Sequence, residues 1–333
     1  MKKSILVGLL FSSLAITSAH ARDQIKTVGS STVFPFSTVV AEKFGKTSNF
    51  KTPIIESTGT GGGMKLFCKG VGVEHPDISN ASRAIKKSEL KKCKKAGVTP
   101  IEVKVGYDGI VVANNKFGDK LSVTRDQLYR ATAKEVVVDG KFVVNPYKKW
   151  SDIDPSLPDY KIEVLGPPPT SGTRDAYVEL VQHKACKKLG IKKKGPDGYK
   201  ERCSAVREDG GYIEAGENDN LIIQKLGADK RRFGIFGFSF LDENTDKVQG
   251  VTIDGVYPKF EDIASGEYPV SRPLFFYVKK EHLEDVRGLR EYVKFFINKR
   301  MIGEEGVTVE KGLIPLPEDE YKSMTERVLA EIK

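Results

Sequence analysis

The sequence predicts an α/β fold arranged in two domains. Short apolar runs bounded by turn residues alternate with segments whose apolar residues recur at helical spacing, the pattern of strands packed under helices. The 333 residues are enough for two domains of ordinary size. With 39% hydrophobic and 30% charged residues, the chain reads as soluble and globular, not disordered or fibrous.

The elements follow in order. Residues 25–29 form a first strand, and Val39, Val40 and Phe44 give 36–44 helical spacing. A strand at 53–56 leads through a glycine-rich turn into a helix from about residue 63. A strand at 77–80 precedes a basic surface helix over 86–95, and 101–105 and 109–113 read as two further strands. Asn114 and Asn115 then signal a turn. A second block holds strands at 161–165 and 232–236 and helices at 174–189 and 219–226. Residues 272–278 return to strand character, and the tail from Leu283 is helical by Val286, Leu289, Val293 and Phe296. The alternation predicts mostly parallel sheets. One domain inserted in another fits this order: residues 22–113 and 267–333 form domain I, and 114–266 domain II.

The N-terminus predicts export. Lys2 and Lys3 precede an apolar stretch over 5–16, and Ala19-His20-Ala21 follows as a small-residue cleavage site. Cleavage is expected after Ala21. The apolar stretch is too short for a spanning helix, and no Cys follows it to carry a lipid. Removing residues 1–21 lowers the formal charge from +9 to +7, with 52 basic and 45 acidic residues left. Such a field attracts anions without choosing among them, and no nucleic-acid motif accompanies it.

Cys68, Cys93, Cys186 and Cys203 contain no C-x-x-C pair, so zinc or thioredoxin-like chemistry is poorly supported. An oxidising compartment favours disulfides, and pairing by proximity gives Cys68–Cys93 and Cys186–Cys203. The lysine runs at 86–95 and 187–194 read as solvated helix faces. Trp150, the sole tryptophan, reads as a packing residue.

Three segments share one design, a strand, then small hydroxyl residues and glycine, then a helix. They are 29–35 (Gly-Ser-Ser-Thr-Val-Phe-Pro), 57–64 (Ser-Thr-Gly-Thr-Gly-Gly-Gly-Met) and 169–175 (Pro-Thr-Ser-Gly-Thr-Arg-Asp). A helix start leaves backbone N–H groups without partners, and with the helix dipole these favour an anion. Ser and Thr add donors without net charge. Taken singly, each is an ordinary N-cap pattern; three of them can converge on one interdomain cleft. None has the Gly-Lys-Ser/Thr ending of a Walker loop.

These loops, with Ala81-Ser-Arg-Ala-Ile-Lys86, Trp150-Ser-Asp-Ile-Asp-Pro155 and Tyr268-Pro-Val-Ser-Arg-Pro-Leu274, resemble the periplasmic phosphate-binding proteins of Pst-type ABC importers. The resemblance spans nearly the whole mature chain and keeps the motif order. It implies a type II periplasmic-binding fold with a hinged cleft. It also implies a periplasmic monomer that carries inorganic phosphate to membrane permease subunits, with no cofactor. By position, Ser31, Thr32 and the Val33 amide face the anion from the first loop, Thr60 from the second, and Ser171, Gly172 and Thr173 from the third.

Two departures stand out. Better-known members have Asp where this chain has Arg83, and Arg where it has Pro167, while Arg174 follows the third loop here. Arg83 and Arg174 are therefore expected to serve the anion with bidentate, charge-assisted bonds. A carboxylate that accepts the hydrogen of phosphate, and so rejects sulfate, has to come from elsewhere; Asp108 and Asp175 are the candidates. A receptor for sulfate or molybdate stays open as an alternative. So does a phosphatase with Ser171 or Thr32 as nucleophile, although His75, His183 and His282 show no metal-ligand spacing.

Overall fold

A computed structural model of the chain describes residues 22–191, 199–216 and 218–333. The expected export signal at 1–21 and Lys192, Lys193 and Lys194 of the second lysine run lie outside the described residues. The first half runs β1 (Lys26–Gly29), α1 (Phe34–Thr47), β2 (Ile54–Ser57), α2 (Thr60–Phe67), β3 (Ile78–Ala81), α3 (Lys87–Lys95) and β4 (Pro100–Asn115). After β4 come β5 (Ser122–Val123), α4 (Arg125–Thr132), the hairpin of β6 (Glu135–Val138) and β7 (Lys141–Val144), α5 (Trp150–Ile153), β8 (Val164–Gly166) and α6 (Gly172–Tyr177). The last strands are β9 (Tyr212–Glu214), β10 (Phe233–Gly237), β11 (Val248–Gly250), β12 (Thr252–Ile253) and β13 (Ser271–Lys279).

The main sheet has the order β2-β1-β3-β13-β4-β10-β8-β9, with β11 also on β4. Strand β4 carries both halves of it. Residues up to Gly109 pair with β13, and from Ile110 onward the partners are β10 and β11. The sequence predicts two strands here. The backbone runs on as one: the first stretch alternates buried Ile101, Val103 and Val105 with half-buried Glu102 and Lys104, and from Val105 onward the strand is buried on both faces. The expectation of mostly parallel pairing needs correction too. β1 is parallel to β2 and β3, and β8 to β9 and β10, but every pairing of β4 and β13 in this sheet is antiparallel.

The helix expected over 174–189 begins two residues earlier and is not uniform. It passes through a π-helical turn, Val178–Gln182, before resuming as an α-helix at His183–Lys188. The tail is broken into short helices. Gly288, at φ 83, stops the first and opens Leu289–Phe296, whose buried Leu289, Tyr292, Val293 and Phe296 make the 3–4 spacing of an amphipathic helix. Trp150 is buried against Phe233, ring centroids 4.9 Å apart, in a packing role.

Both expected disulfides are present, Cys68–Cys93 and Cys186–Cys203. Each sits in a small apolar cluster apart from the main core, the first with Met64, Phe67 and Tyr277, the second with Tyr129 and Val136. Such satellite clusters bury little surface, so cross-linking matters more there. Replacing Cys186 and Cys203 by Ala is expected to lower stability by about 2–4 kcal/mol, read as a lower urea midpoint.

Candidate functional site

The turns after β1, β2, β3 and β8 open on one cleft of ≈ 560 Å³. Its walls include Ser30, Ser31 and Thr32, then Gly59, Thr60 and Gly61, then Ser82 and Arg83, and from the far side Arg174, Asp175 and Glu179. β1, β2 and β3 are parallel and send their turns to one edge, and β8, running the opposite way beyond β4, ends toward that edge from the other half of the sheet, which is why loops so far apart in sequence meet.

Glycine shapes these turns where the backbone demands it. Gly59 caps α2 at φ 70, and a Cβ on Gly63 would stand 2.5 Å from the Cα of Gly29. Thr60 opens α2, and its hydroxyl accepts the Ser82 amide at 3.1 Å and lies 3.1 Å from the Ser82 hydroxyl. Ser82 thus lines the site beside Thr60, a role the sequence analysis did not assign to it. Val33 is fully buried and its amide points to Ser30 Oγ at 3.4 Å; its side chain packs in the core, outside the cleft wall.

The third loop rests on the first. A Cβ on Gly172 would come 2.9 Å from Thr32 Cα and 3.2 Å from Ser31 O. Ser31 Oγ donates to Asp175 Oδ2 at 2.5 Å. Ser171 caps α6, with its hydroxyl accepting the Thr173 amide at 3.2 Å.

The three arginines differ. Arg83 makes a two-pronged bond to Glu89, at 2.9 and 2.8 Å, at the rim. Burial pushes the Glu89 carboxyl up, but the bonds from Arg83 and the Lys86 amide outweigh it and hold the group below its ordinary range. Arg174 is buried, stacks its guanidinium 4.5 Å from the Tyr212 ring centroid, and donates to Pro167 O at 2.9 Å. Its head therefore reaches back to the backbone at Pro167, the position of the second departure noted above. Burial raises the Tyr212 phenol to about 12, Arg174 opposing it, so Tyr212 stays a donor, to Pro167 O at 2.7 Å.

Arg272 is the residue that sequence reasoning missed. Only 7% exposed, it donates to Thr32 Oγ1 at 2.7 Å, to Glu179 Oε2 at 2.7 Å and to Asp108 Oδ2 at 3.3 Å. It sits in the Val-Ser-Arg-Pro stretch, with no glycine or helix start nearby to mark it. Only the pairing of Arg272 with Asp108 across β13 and β4 puts it under the cleft. Asp108 is buried beneath it, outside the cleft wall. Burial pushes its carboxyl up, against the pull of Arg272. Of the two carboxylates considered as hydrogen acceptors, Asp175 lines the cleft, joined by Glu179 one helical turn on.

The chemistry of the cleft is that of a clamp for one small anion. Hydroxyls of the first two loops and of Ser82 line it with the buried Arg174 and Arg272, while the third loop brings Pro169, Arg174 and Asp175 to the wall and not Ser171, Gly172 or Thr173. His183 and Ser204, 2.8 Å apart, close one wall. Among the described residues there is no cluster of His, Cys, Asp and Glu that would hold a metal ion, and no helix long and apolar enough to cross a membrane.

Known proteins are similar to this chain. A family model described as a PBP superfamily domain matches residues 15–300. Protein SphX of Synechococcus elongatus is 32% identical over 329 residues, 97% of this chain and 86% of that protein. The phosphate-binding protein PstS of Staphylococcus saprophyticus is 29% identical over 325 residues, 96% of this chain and 88% of its own. The crystal structure of a possible phosphate binding protein from Planctomyces limnophilus superposes with a TM-score of 0.75 at 29% identity, covering 94% of this chain and 99% of that one. An ABC-type phosphate transport receptor from Vibrio cholerae, at 20% identity and a TM-score of 0.58, covers 88% of this chain and 100% of its own and shares the fold.

Proposed function

The chain belongs to the PBP superfamily and has the type II periplasmic-binding fold, and on that footing we propose that it is an exported receptor that binds inorganic phosphate and delivers it to the permease of an ABC importer. It is a binding protein and not an enzyme. The observation that carries this reading is the meeting of the first two hydroxyl-and-glycine loops with Arg272, and with Arg174 of the third segment, in one cleft. Relatives named as phosphate-binding proteins, aligned over nearly their whole length, supply the ligand.

In this reading Thr32, Thr60, Ser171 and Thr173 and the amides around them hold the phosphate oxygens. Arg272 and Arg174 balance its charge, and Arg83 acts from the rim. Asp175 and Glu179 are the carboxylates placed to accept the hydrogen that phosphate carries and sulfate lacks. The two lobes are residues 22–113 with 267–333 and residues 114–266. The change of partners within β4 at Gly109 and Ile110 supports a division close to the first of these boundaries. The receptor works as a monomer outside the cytoplasm, released by cleavage after Ala21.

Calorimetric titration tests the ligand. Phosphate is expected to bind one to one, with sulfate binding far more weakly. Heat from sulfate or molybdate but none from phosphate would overturn the assignment.

The contact of Gly172 with the first loop gives a sharper test. Both atoms that a Cβ would meet belong to the backbone, so neither can turn aside. Gly172→Ala must part the two loops. Phosphate affinity is expected to fall about 10-fold, some 1.4 kcal/mol, and small-angle scattering should show a larger radius of gyration at saturating phosphate.

A further inference from the structure

Helices α2 and α3 both begin at the cleft, where Thr60, Gly61, Arg83 and Lys86 line the wall, and run outward side by side. The Cys68–Cys93 disulfide ties their outer parts together. This brings Lys65 and Lys69 beside the lysines of α3, all of them exposed. Residues 83–95 hold seven basic residues and one acid, Glu89, which Arg83 already engages. Among the described residues none of Lys65, Lys69, Lys86, Lys87, Lys91, Lys92, Lys94 and Lys95 forms an ion pair. In contrast, on the far wall of the cleft Asp175 takes the Ser31 hydroxyl and Glu179 is paired with Arg272.

We infer that the joined face of α2 and α3 is an electrostatic collecting surface that draws small divalent oxyanions to the cleft mouth. It sets the rate of capture and not the rate of release. The inference rests on the phosphate reading above. Nine residues of helix span about 13 Å, and the Debye length at 0.1 M salt is about 10 Å. At low salt the whole row of α3 therefore acts on an ion at the mouth, and at high salt little of it does. The field of a one-signed patch beside a cleft raises association rates by about 10- to 1,000-fold.

The test is stopped-flow phosphate binding across ionic strength with three proteins. One is the unaltered chain. The second carries Lys91, Lys92, Lys94 and Lys95→Gln. The third carries Lys116, Lys120, Lys141 and Lys225→Gln, which removes the same charge from exposed sites that do not line the cleft. Expected for the α3 variant is an association rate at low salt about 5-fold or more below the unaltered chain, merging with it at high salt, with the dissociation rate unchanged. The third protein should follow the unaltered chain. Equal rates and equal salt slopes for the first two would overturn the inference while leaving phosphate binding intact. Equal slowing of both variants would reduce it to an effect of net charge and overturn it as well. If the α3 variant does not fold, the unaltered chain alone decides, since a salt-independent association rate contradicts steering. No phosphate binding by the unaltered chain would instead remove the functional reading itself.

Discussion

Arg272→Met is expected to weaken phosphate binding by roughly 100-fold or more, the loss of about 3 kcal/mol that follows when one member of a buried, hydrogen-bonded charge group is removed. Methionine keeps most of the stem volume, so the change is chiefly one of charge and donors. Three partners lose their donor at once: the Thr32 hydroxyl of the first loop, the Glu179 carboxylate across the cleft and the buried Asp108. Burial already pushes the Asp108 carboxyl up, and loss of the guanidinium removes the one influence that opposes this. The cleft then faces an anion with one buried cation fewer and with Glu179 unbalanced. Calorimetry with phosphate reads the affinity, and thermal unfolding checks that the protein remains folded. Arg272→Lys should fall between the two, since a single ammonium restores charge but not the fork that reaches three partners. Affinity within about threefold of the unaltered chain for the Met variant, against the 100-fold loss expected, would remove Arg272 from the site.

Asp77→Ala is expected to cost about 3–5 kcal/mol of stability, the effect of stranding buried charges without their counter-ion. Asp77 has no exposed side-chain surface and stands just before β3. One oxygen takes His282 Nδ1 at 2.5 Å, and the other takes the Lys26 amide at 2.7 Å and pairs with Arg22. His282 Nε2 lies 2.9 Å from Val71 O, so each ring nitrogen has a partner. Lys279 is buried close by, donating to Gly70 O at 2.6 Å, and burial lowers its amine to about 8. Removing Asp77 leaves Arg22, His282 and Lys279 without the buried carboxylate they share. Urea unfolding measures the loss. Asp77→Asn, which keeps an acceptor but no charge, should lose less. Because β3 leads directly to Ser82 and Arg83, the Ala variant should also show faster amide exchange across residues 78–83 before global unfolding.

Much of this was legible in sequence because the signals are local. The hydroxyl-and-glycine turns lie just ahead of α1, α2 and α6, and Ser31, Thr32, Thr60, Arg83, Arg174 and Asp175 all line one cleft. Cysteine pairing by proximity also matched. Other features were not legible. The two apolar runs that make up β4 look like separate strands, since nothing local in Gly106-Tyr107-Asp108 says that extension continues. The π turn at Val178–Gln182 has no sequence signal that we can identify. Glu179 looks like any surface acid on a helix until Arg272 is placed against it.

What the sequence by itself determined is the set of donors. A strand ending in small hydroxyl residues and glycine before a helix exposes backbone N–H groups wherever it folds, because those groups are orphaned by the helix start itself. What only the tertiary structure decided is the charge arrangement around them. Arg272 meets Asp108 across 164 residues, Glu179 across 93 and Thr32 across 240, through strand pairing and the approach of the third loop to the first. Arg83, expected at the anion, spends its fork on Glu89, and Arg174 reaches back to Pro167. Long side chains take their partners from whatever the fold brings within reach. Charge balance in the cleft is therefore a property of the packed chain and not of any one motif.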